Sequence, residues 1–287
     1  MIQSLSEKVT MNNGEKIPGF GLGVFDAVGE EVYNAVRYAI DAGYRHIDTA
    51  TLYGNEEDVG RAIRDCGLPR EEIFLTTKIW PTDFDDPQKA LDLSMRKLDC
   101  EYLDLYLMHW PGADQKRRLN VWEFLLKQVQ AQKIKTAGVS NFLVCQLEEI
   151  RKETGSLPAN NQIEFHPWHQ QRELVKYCKE NGIVVTAWGP MFHGHLAEEP
   201  LMPEIGAKYG KSAAQATLRW ALQKDIVIIP KSVKKERIIQ NADIFDFSLS
   251  AEDMQKIDAL DGKGSYSFDA MIFDGDIEAE IAQRGSI

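Results

Sequence analysis

Residues 46–78 read HIDTATLYGNEEDVGRAIRDCGLPREEIFLTTK, and they contain one complete repeat unit of the fold. HID is a short strand candidate that opens into a loop. NEEDVGRAIRDCG follows with helical character, Asn55 standing where an N-cap belongs and acidic residues filling the first turn. FLTTK is a second strand candidate. What makes the stretch decisive is the polar residue that closes each strand. Asp48 and Tyr53 lie just past the first, Lys78 ends the second, and the next strand candidate, YLDLYLMH (102–109), ends at His109. If these strands are parallel neighbours, a carboxylate, a phenol, an ammonium and an imidazole meet at one edge of the sheet. Barrel and open-sheet enzymes keep their active sites at that edge.

The same rhythm extends in both directions. KVTMNNGEKIPG predicts a β-hairpin around Asn13-Gly14. GFGLGVF is a strand, and EEVYNAVRYAIDAG a helix with apolar residues at helical spacing that Gly43 stops. Beyond FLTTKI come the helix QKALDLSMRKLDC, the strand ending at His109 and the helix RRLNVWEFLLKQVQAQ. Strands KTAGV, NQIEF, VVTAW and IVIIP then alternate with helices, two of them (LMPEIGAKYG and SAAQATLRWALQK) in succession around Gly210, and AEDMQKIDAL closes the series with Ser250 as its cap. Eight strand–helix units without a linker or composition break predict one α/β domain over 1–287, a closed (β/α)8 TIM barrel. A doubly wound sheet is the alternative. Gly19, Gly21 and Gly23 do not form its GxGxxG fingerprint, however. Residues 262–287 have weak periodicity and predict a C-terminal loop and tail whose aromatics can cover a cleft.

Composition narrows the function classes. A net charge of -11 in 287 residues argues against a general binder of nucleic acid or of anionic membranes. Four cysteines without CxxC spacing predict reduced thiols rather than a disulfide framework or zinc site. No apolar run reaches membrane length, and MIQSLSEKVT lacks the pattern of an export signal, so a cytoplasmic location is expected. No metal is expected either, since no ligand cluster accompanies Asp48.

Each of the four strand-end groups has an ordinary reading alone: Asp48 as a cap or ion-pair partner, Tyr53 as packing, Lys78 as a solvated cation, His109 as a satisfied structural histidine. Together they make a chemical apparatus. An Asp48–Lys78 pair keeps the lysine charged in a buried setting. A charged Lys78 beside Tyr53 is expected to lower the phenol pKa, making it a usable proton donor or acceptor. His109 can orient a substrate oxygen toward Tyr53. The set suits reduction of a carbonyl or oxidation of an alcohol, and it needs a hydride partner because no side chain supplies hydride.

At this point the chain resembles the aldo-keto reductase family. The matching stretches are GYRHIDTATLYGNEEDVG (43–60), LTTKIW (75–80), LDLYLMHWP (103–111), GVSNF (138–142), NQIEFHP (161–167), TAWGP (186–190) and IPKSVKKERIIQN (229–241), in family order over nearly the whole sequence. The resemblance implies an NADPH-dependent carbonyl reductase with the catalytic tetrad Asp48, Tyr53, Lys78 and His109. It implies that Ser140, Asn141 and Gln162 hold the nicotinamide amide and that Trp188 stacks beneath the ring. Gly189 and Leu196 would meet the pyrophosphate, Lys231, Ser232, Val233 and Arg237 the 2'-phosphate, and Gln240 and Asn241 the adenine. The basic run KSVKKER is unusual in so acidic a chain and directly follows the eighth strand, where barrels often bind phosphate.

Phe25, Trp80, Trp110 and His109 are expected to wall the substrate site, with Tyr266 or Phe268 contributed by the tail. The short connections resemble the compact bacterial, plant and protozoal members, of the 2,5-diketo-gluconate reductase or prostaglandin F synthase kind. A small carbonyl substrate and a monomer are expected. NADP-dependent alcohol oxidation and a non-catalytic cofactor-binding regulator are the alternatives.

Overall fold

The computed structural model describes residues 1–278; the end of the expected tail, residues 279–287, lies outside them. The hairpin pairs β1 (Lys8–Thr10) with β2 (Lys16–Pro18). The strands that follow are β3 (Leu22–Gly23), β4 (His46–Asp48), β5 (Phe74–Ile79), β6 (Leu103–Met108), β7 (Ile134–Ser140), β8 (Asn160–Glu164), β9 (Val184–Trp188) and β10 (Val227–Ile228). They form one eight-stranded parallel sheet in sequence order. Parallel bridges Phe20–Ile228 and Gly23–Lys231 bring its last strand back to its first, which makes the predicted barrel and excludes the doubly wound sheet.

That seam tolerates only glycine. A Cβ on Gly21 would sit 2.7 Å from the His46 ring, and one on Gly23 would sit 2.8 Å from the carbonyl oxygen of Ile229. The alternating glycines that fail as a nucleotide fingerprint are there for close backbone approach.

Side-chain alternation along each strand separates two cores. Tyr106 and Met108 belong to the large layer between sheet and helices. Leu105 and Leu107 face the barrel interior with Ala159, Val184 and Val227, and Met11 and Ile17 of the hairpin complete that cluster. The hairpin therefore seals the N-terminal end of the barrel with apolar side chains.

The helices follow the sequence reading closely. They are α1 (Gly29–Asp41), α2 (Glu56–Arg64), α3 (Pro87–Leu98), α4 (Gln115–Gln130), α5 (Val144–Thr154), α6 (Arg172–Glu180), α7 (Leu201–Lys208), α8 (Ala213–Gln223), α9 (Lys235–Ala242) and α10 (Ala251–Asp258). Ser250 caps α10 by accepting from the Asp253 backbone N–H. Asn55 does not cap α2, although it holds the position. Its buried amide accepts from Thr49 Oγ1 and donates to the carbonyls of Val24 and Ala27, so it ties the first strand's loop to the second's. Short 3-10 turns at Thr51–Tyr53, Pro81–Asp83 and Phe192–Ala197 were not evident from periodicity. Among the described residues no helix is long and apolar enough to cross a membrane.

Candidate active site

Asp48 ends β4, Lys78 is the fifth residue of β5, and His109 immediately follows β6. Thr76 and Lys78 share one face of their strand, as Leu105, Leu107 and His109 share one line along theirs. The apolar interior thus gives way to polar groups at the C-terminal rim. Tyr53 reaches the same place from the 3-10 turn after β4.

Lys78 is fully buried, and all three of its N–H donors are used. It donates to Asp48 Oδ1 at 2.5 Å, to the Thr49 carbonyl at 2.8 Å and to the Tyr53 hydroxyl at 3.4 Å. Gln162, reaching across the barrel from β8, donates to Asp48 Oδ2 at 2.6 Å. The carboxylate is therefore held by one group on each oxygen. Burial works against the charge on Lys78, but Asp48 and Tyr53 more than offset it, and the ammonium is held above its ordinary range. Burial raises the Asp48 carboxyl against the pull of Lys78 and Gln162.

The expected drop in the Tyr53 pKa is not what this geometry produces. Burial raises it; Lys78 pulls it down, the Asp48 carboxylate pushes it up, and the balance stays above the ordinary value of 10.0. The reason is that Lys78 is already neutralised by Asp48, so its field at the phenol is too weak to overcome desolvation. The phenol is accordingly protonated at neutral pH. His109 is shifted well below 6.5 by burial and then by Lys78, which leaves a neutral imidazole. Its ring meets Tyr53 edge-on at 5.6 Å and Trp80 at 4.9 Å between centroids.

The neutral groups predicted on β7 and β8 join this cluster as a network. Ser140 Oγ donates to the Gln162 carbonyl at 2.8 Å. Asn141, in the left-handed region at φ 63°, donates to the His109 carbonyl and to Ser140 Oγ. Trp188 Nε1 donates to Asn141 Oδ1 at 2.8 Å, and its ring remains partly exposed at the mouth. Gly189 follows at φ 58° with nothing within 4 Å of where a Cβ would be, and Leu196 is buried in the turn beyond it.

On the far side of the rim Lys231 is exposed, donating to the Asp26 carbonyl at 3.1 Å. Ser232 and Val233 are half-buried, Arg237 and Gln240 exposed, and Asn241 buried. Among the described residues no ion pair forms to Lys231 or Arg237. Two free cations in an acidic chain suit an anion, and the open glycine beside a flat indole suits a planar ring next to a diphosphate.

The expected substrate walls divide into two groups. Trp80, Trp110 and Phe268 come together, and they do so around Phe273, a residue the sequence reading did not single out. Phe273 lies 4.5 Å from Phe268 in a stacked arrangement, 5.0 Å from Trp110 and 5.7 Å from Trp80. Its buried place could have been suspected from AMIF (270–273), an apolar run in a polar tail. Phe25 is half exposed and packs edge-on against Tyr53 at 5.1 Å. Tyr266 goes elsewhere: it stacks on Phe192 at 4.4 Å and meets His193, because the backbone at 265–267 is pinned beside β8.

Comparison with known proteins agrees with this architecture. Residues 19–262 match the sequence profile of the Aldo/keto reductase family. A protein named glyoxal reductase from Bacillus subtilis (strain 168) is 48% identical over 263 residues, covering 91% of this chain and 95% of the relative. The crystal structure of an aldo/keto reductase from Brucella melitensis superposes with a TM-score of 0.86 at 44% identity, covering 89% of this chain and 100% of that one. A mutant of Gox0644 solved in complex with NADPH superposes with a TM-score of 0.88 at 37% identity, over 92% and 97% of the two chains. The chain belongs to the aldo/keto reductase family.

Proposed function

We propose that this protein reduces small aldehydes and ketones to alcohols, with NADPH as cofactor and Tyr53 as proton donor. The observation that carries this reading is the buried Lys78 ammonium shared between Asp48 and the Tyr53 hydroxyl. A protonated phenol at the end of that chain is in the state a carbonyl oxygen needs as it becomes an alcohol. Neutral His109 can hydrogen-bond the same oxygen without competing as an acid. Oxidation of an alcohol needs the phenol deprotonated first, and its raised pKa disfavours that at neutral pH.

NADPH fits the donor set, and when bound it supplies the hydride. Ser140, Asn141 and Gln162 would hold its carboxamide; Asn141 Oδ1, already accepting from Trp188, keeps a second lone pair for that purpose. Trp188 offers a ring face for stacking. Gly189 and Leu196 would line the diphosphate, Lys231, Ser232, Val233 and Arg237 the 2'-phosphate, and Gln240 and Asn241 the adenine. The NADPH complex of Gox0644 supports this cofactor.

Trp80, Trp110, Phe268 and Phe273 form an aromatic wall, together with Phe25 beside Tyr53. Such an aromatic wall suits the apolar part of a small carbonyl, and the name of the Bacillus relative supports small dicarbonyls. One chain supplies every group named, which supports a monomeric working unit. Four free thiols suit a reducing, cytoplasmic setting. Turnover over a carbonyl panel, with NADPH and NADH compared, tests the reading. No NADPH-dependent turnover of any carbonyl by wild type would refute it.

A further inference from the structure

Glu164 is the last residue of β8 and lies two residues beyond Gln162, so both side chains leave the strand on one face. Gln162 is committed to Asp48. Glu164 is committed to a distant part of the chain. Its carboxylate is 1% exposed and accepts from His166 Nε2 at 2.9 Å, Ser265 Oγ at 2.6 Å, the Tyr266 N–H at 2.9 Å, the Ser267 N–H at 2.8 Å and Ser267 Oγ at 2.6 Å. Burial alone would raise its pKa, but these donors hold it at about 2, so the anchor is a permanent anion. Four of the five donors belong to three consecutive residues that have no strand or helix partner of their own. Charge-assisted bonds of this kind are the strongest ties available to an irregular segment.

What the segment carries gives the anchor its consequence. Ser267 leads directly into Phe268, which stacks on Phe273 and leans on Trp110 at 5.4 Å. Downstream ties come from Gln146 to the Ala270 carbonyl and from Trp80 to the Gly275 carbonyl. Upstream, Gly262 and Lys263 bond the Trp168 carbonyl and Lys263 pairs with Glu199, and Glu164 holds the three residues that lead into Phe268. Tyr266 also stacks on Phe192, and the His166 ring lies 4.6 Å from Phe192, so the same anchor fastens the turn after β9.

We infer that Glu164 is a positioning residue for substrate selection, fixing the C-terminal segment so that Phe268 and Phe273 complete a wall sized for small carbonyls. The selectivity part of this inference rests on the proposed reductase activity; the anchoring part does not.

Glu164→Gln keeps the side chain's size but turns one acceptor into a donor facing the N–H and O–H groups of 265–267. Hydrogen exchange of peptides covering 263–275 should quicken about tenfold while β4–β6 stay protected. KM for a small dicarbonyl should rise, and the KM ratio of a bulky aromatic aldehyde to that dicarbonyl should fall about tenfold, with kcat on the dicarbonyl changed less than about threefold. The Ser265→Ala/Ser267→Ala double variant removes two donors without touching β8 and should move both readouts the same way, less far. Should Glu164→Gln lose protection across the whole barrel, the double variant decides by the same two measurements. Unchanged exchange at 263–275 with an unchanged KM ratio overturns the inference. If wild type turns over no carbonyl, the reductase reading fails, and the exchange data still decide whether Glu164 is the anchor.

Discussion

The two ends of this barrel are built from the same strands and do opposite work. At the N-terminal end, Leu105, Ala159, Val184 and Val227 meet Met11 and Ile17 of the hairpin in an apolar plug. At the C-terminal end, strands of the same sheet carry Asp48, Lys78, His109, Ser140 and Gln162, all buried and all polar. An apolar interior is stable without assistance, whereas a buried ammonium and carboxylate persist only because each satisfies the other. One end of the barrel interior is therefore an apolar plug and the other a polar site, a separation that substitutions can test.

The largest effect should come from Tyr53→Phe. It removes the proton and leaves the ring, so kcat for carbonyl reduction should drop by ~10²–10⁴ with melting temperature nearly unchanged. A variant with near wild-type kcat would remove Tyr53 from the chemistry. Lys78→Met should be the one mouth substitution that damages both properties. It removes the charged partner of Asp48 and leaves a buried carboxylate held only by Gln162, a loss of about 3–5 kcal/mol in chemical denaturation together with most of the activity. Unchanged stability would mean that Asp48 is already protonated in the folded enzyme.

Ile17→Ala, in the hairpin plug, should destabilise by about 2–5 kcal/mol while kcat/KM on the folded protein stays near wild type. A large kinetic defect there would dissolve the separation of the two ends. Arg237→Ala should weaken NADPH binding by about 1.5–3 kcal/mol, as for one hydrogen bond to a charged group, and leave the NADH Kd almost unmoved. Equal losses for both cofactors would assign Arg237 to the fold. The smallest effect is that of pH. His109 titrates well below 6.5, so acidification to about pH 6 should not charge it. Tyr53 titrates above 10.0, so the proton donor is lost only on strongly alkaline titration. Reductive kcat should be flat from about pH 6 to about pH 9, and an inflection near neutrality would show that Lys78 does lower the phenol.

The contrast also explains what the sequence made legible. Strand order, helix spans and the meeting of Asp48, Tyr53, Lys78 and His109 at one rim could be read because a polar residue closing an apolar strand is a local signal, repeated unit after unit. Asn55 was placed correctly and its function misread, since a cap position says nothing of the carbonyls of Val24 and Ala27 that the fold brings within reach. The Tyr53 shift was misjudged because its sign depends on three opposing influences whose distances no spacing reveals. Phe273 and Glu164 were passed over for one reason: each acts through contacts about a hundred or more residues away. The segment from 263 onward has no period to read, and its course is dictated by the acceptors waiting for it at the rim.

The seam between β3 and β10 has a consequence for how tolerance to change would be read along this chain. Each of these strands has only two residues, and the sheet there depends on hydrogens where Gly23, facing Ile229 across the junction, and Gly21, facing His46 of β4, would otherwise carry carbon. A saturation scan scored by activity would mark both glycines as intolerant as the tetrad, although neither has a side chain to offer any reaction. Their signature would be loss of soluble protein at every substitution, including alanine. A catalytic position instead yields folded, inactive enzyme, and abundance measured beside activity would tell closure of the barrel from chemistry at its mouth.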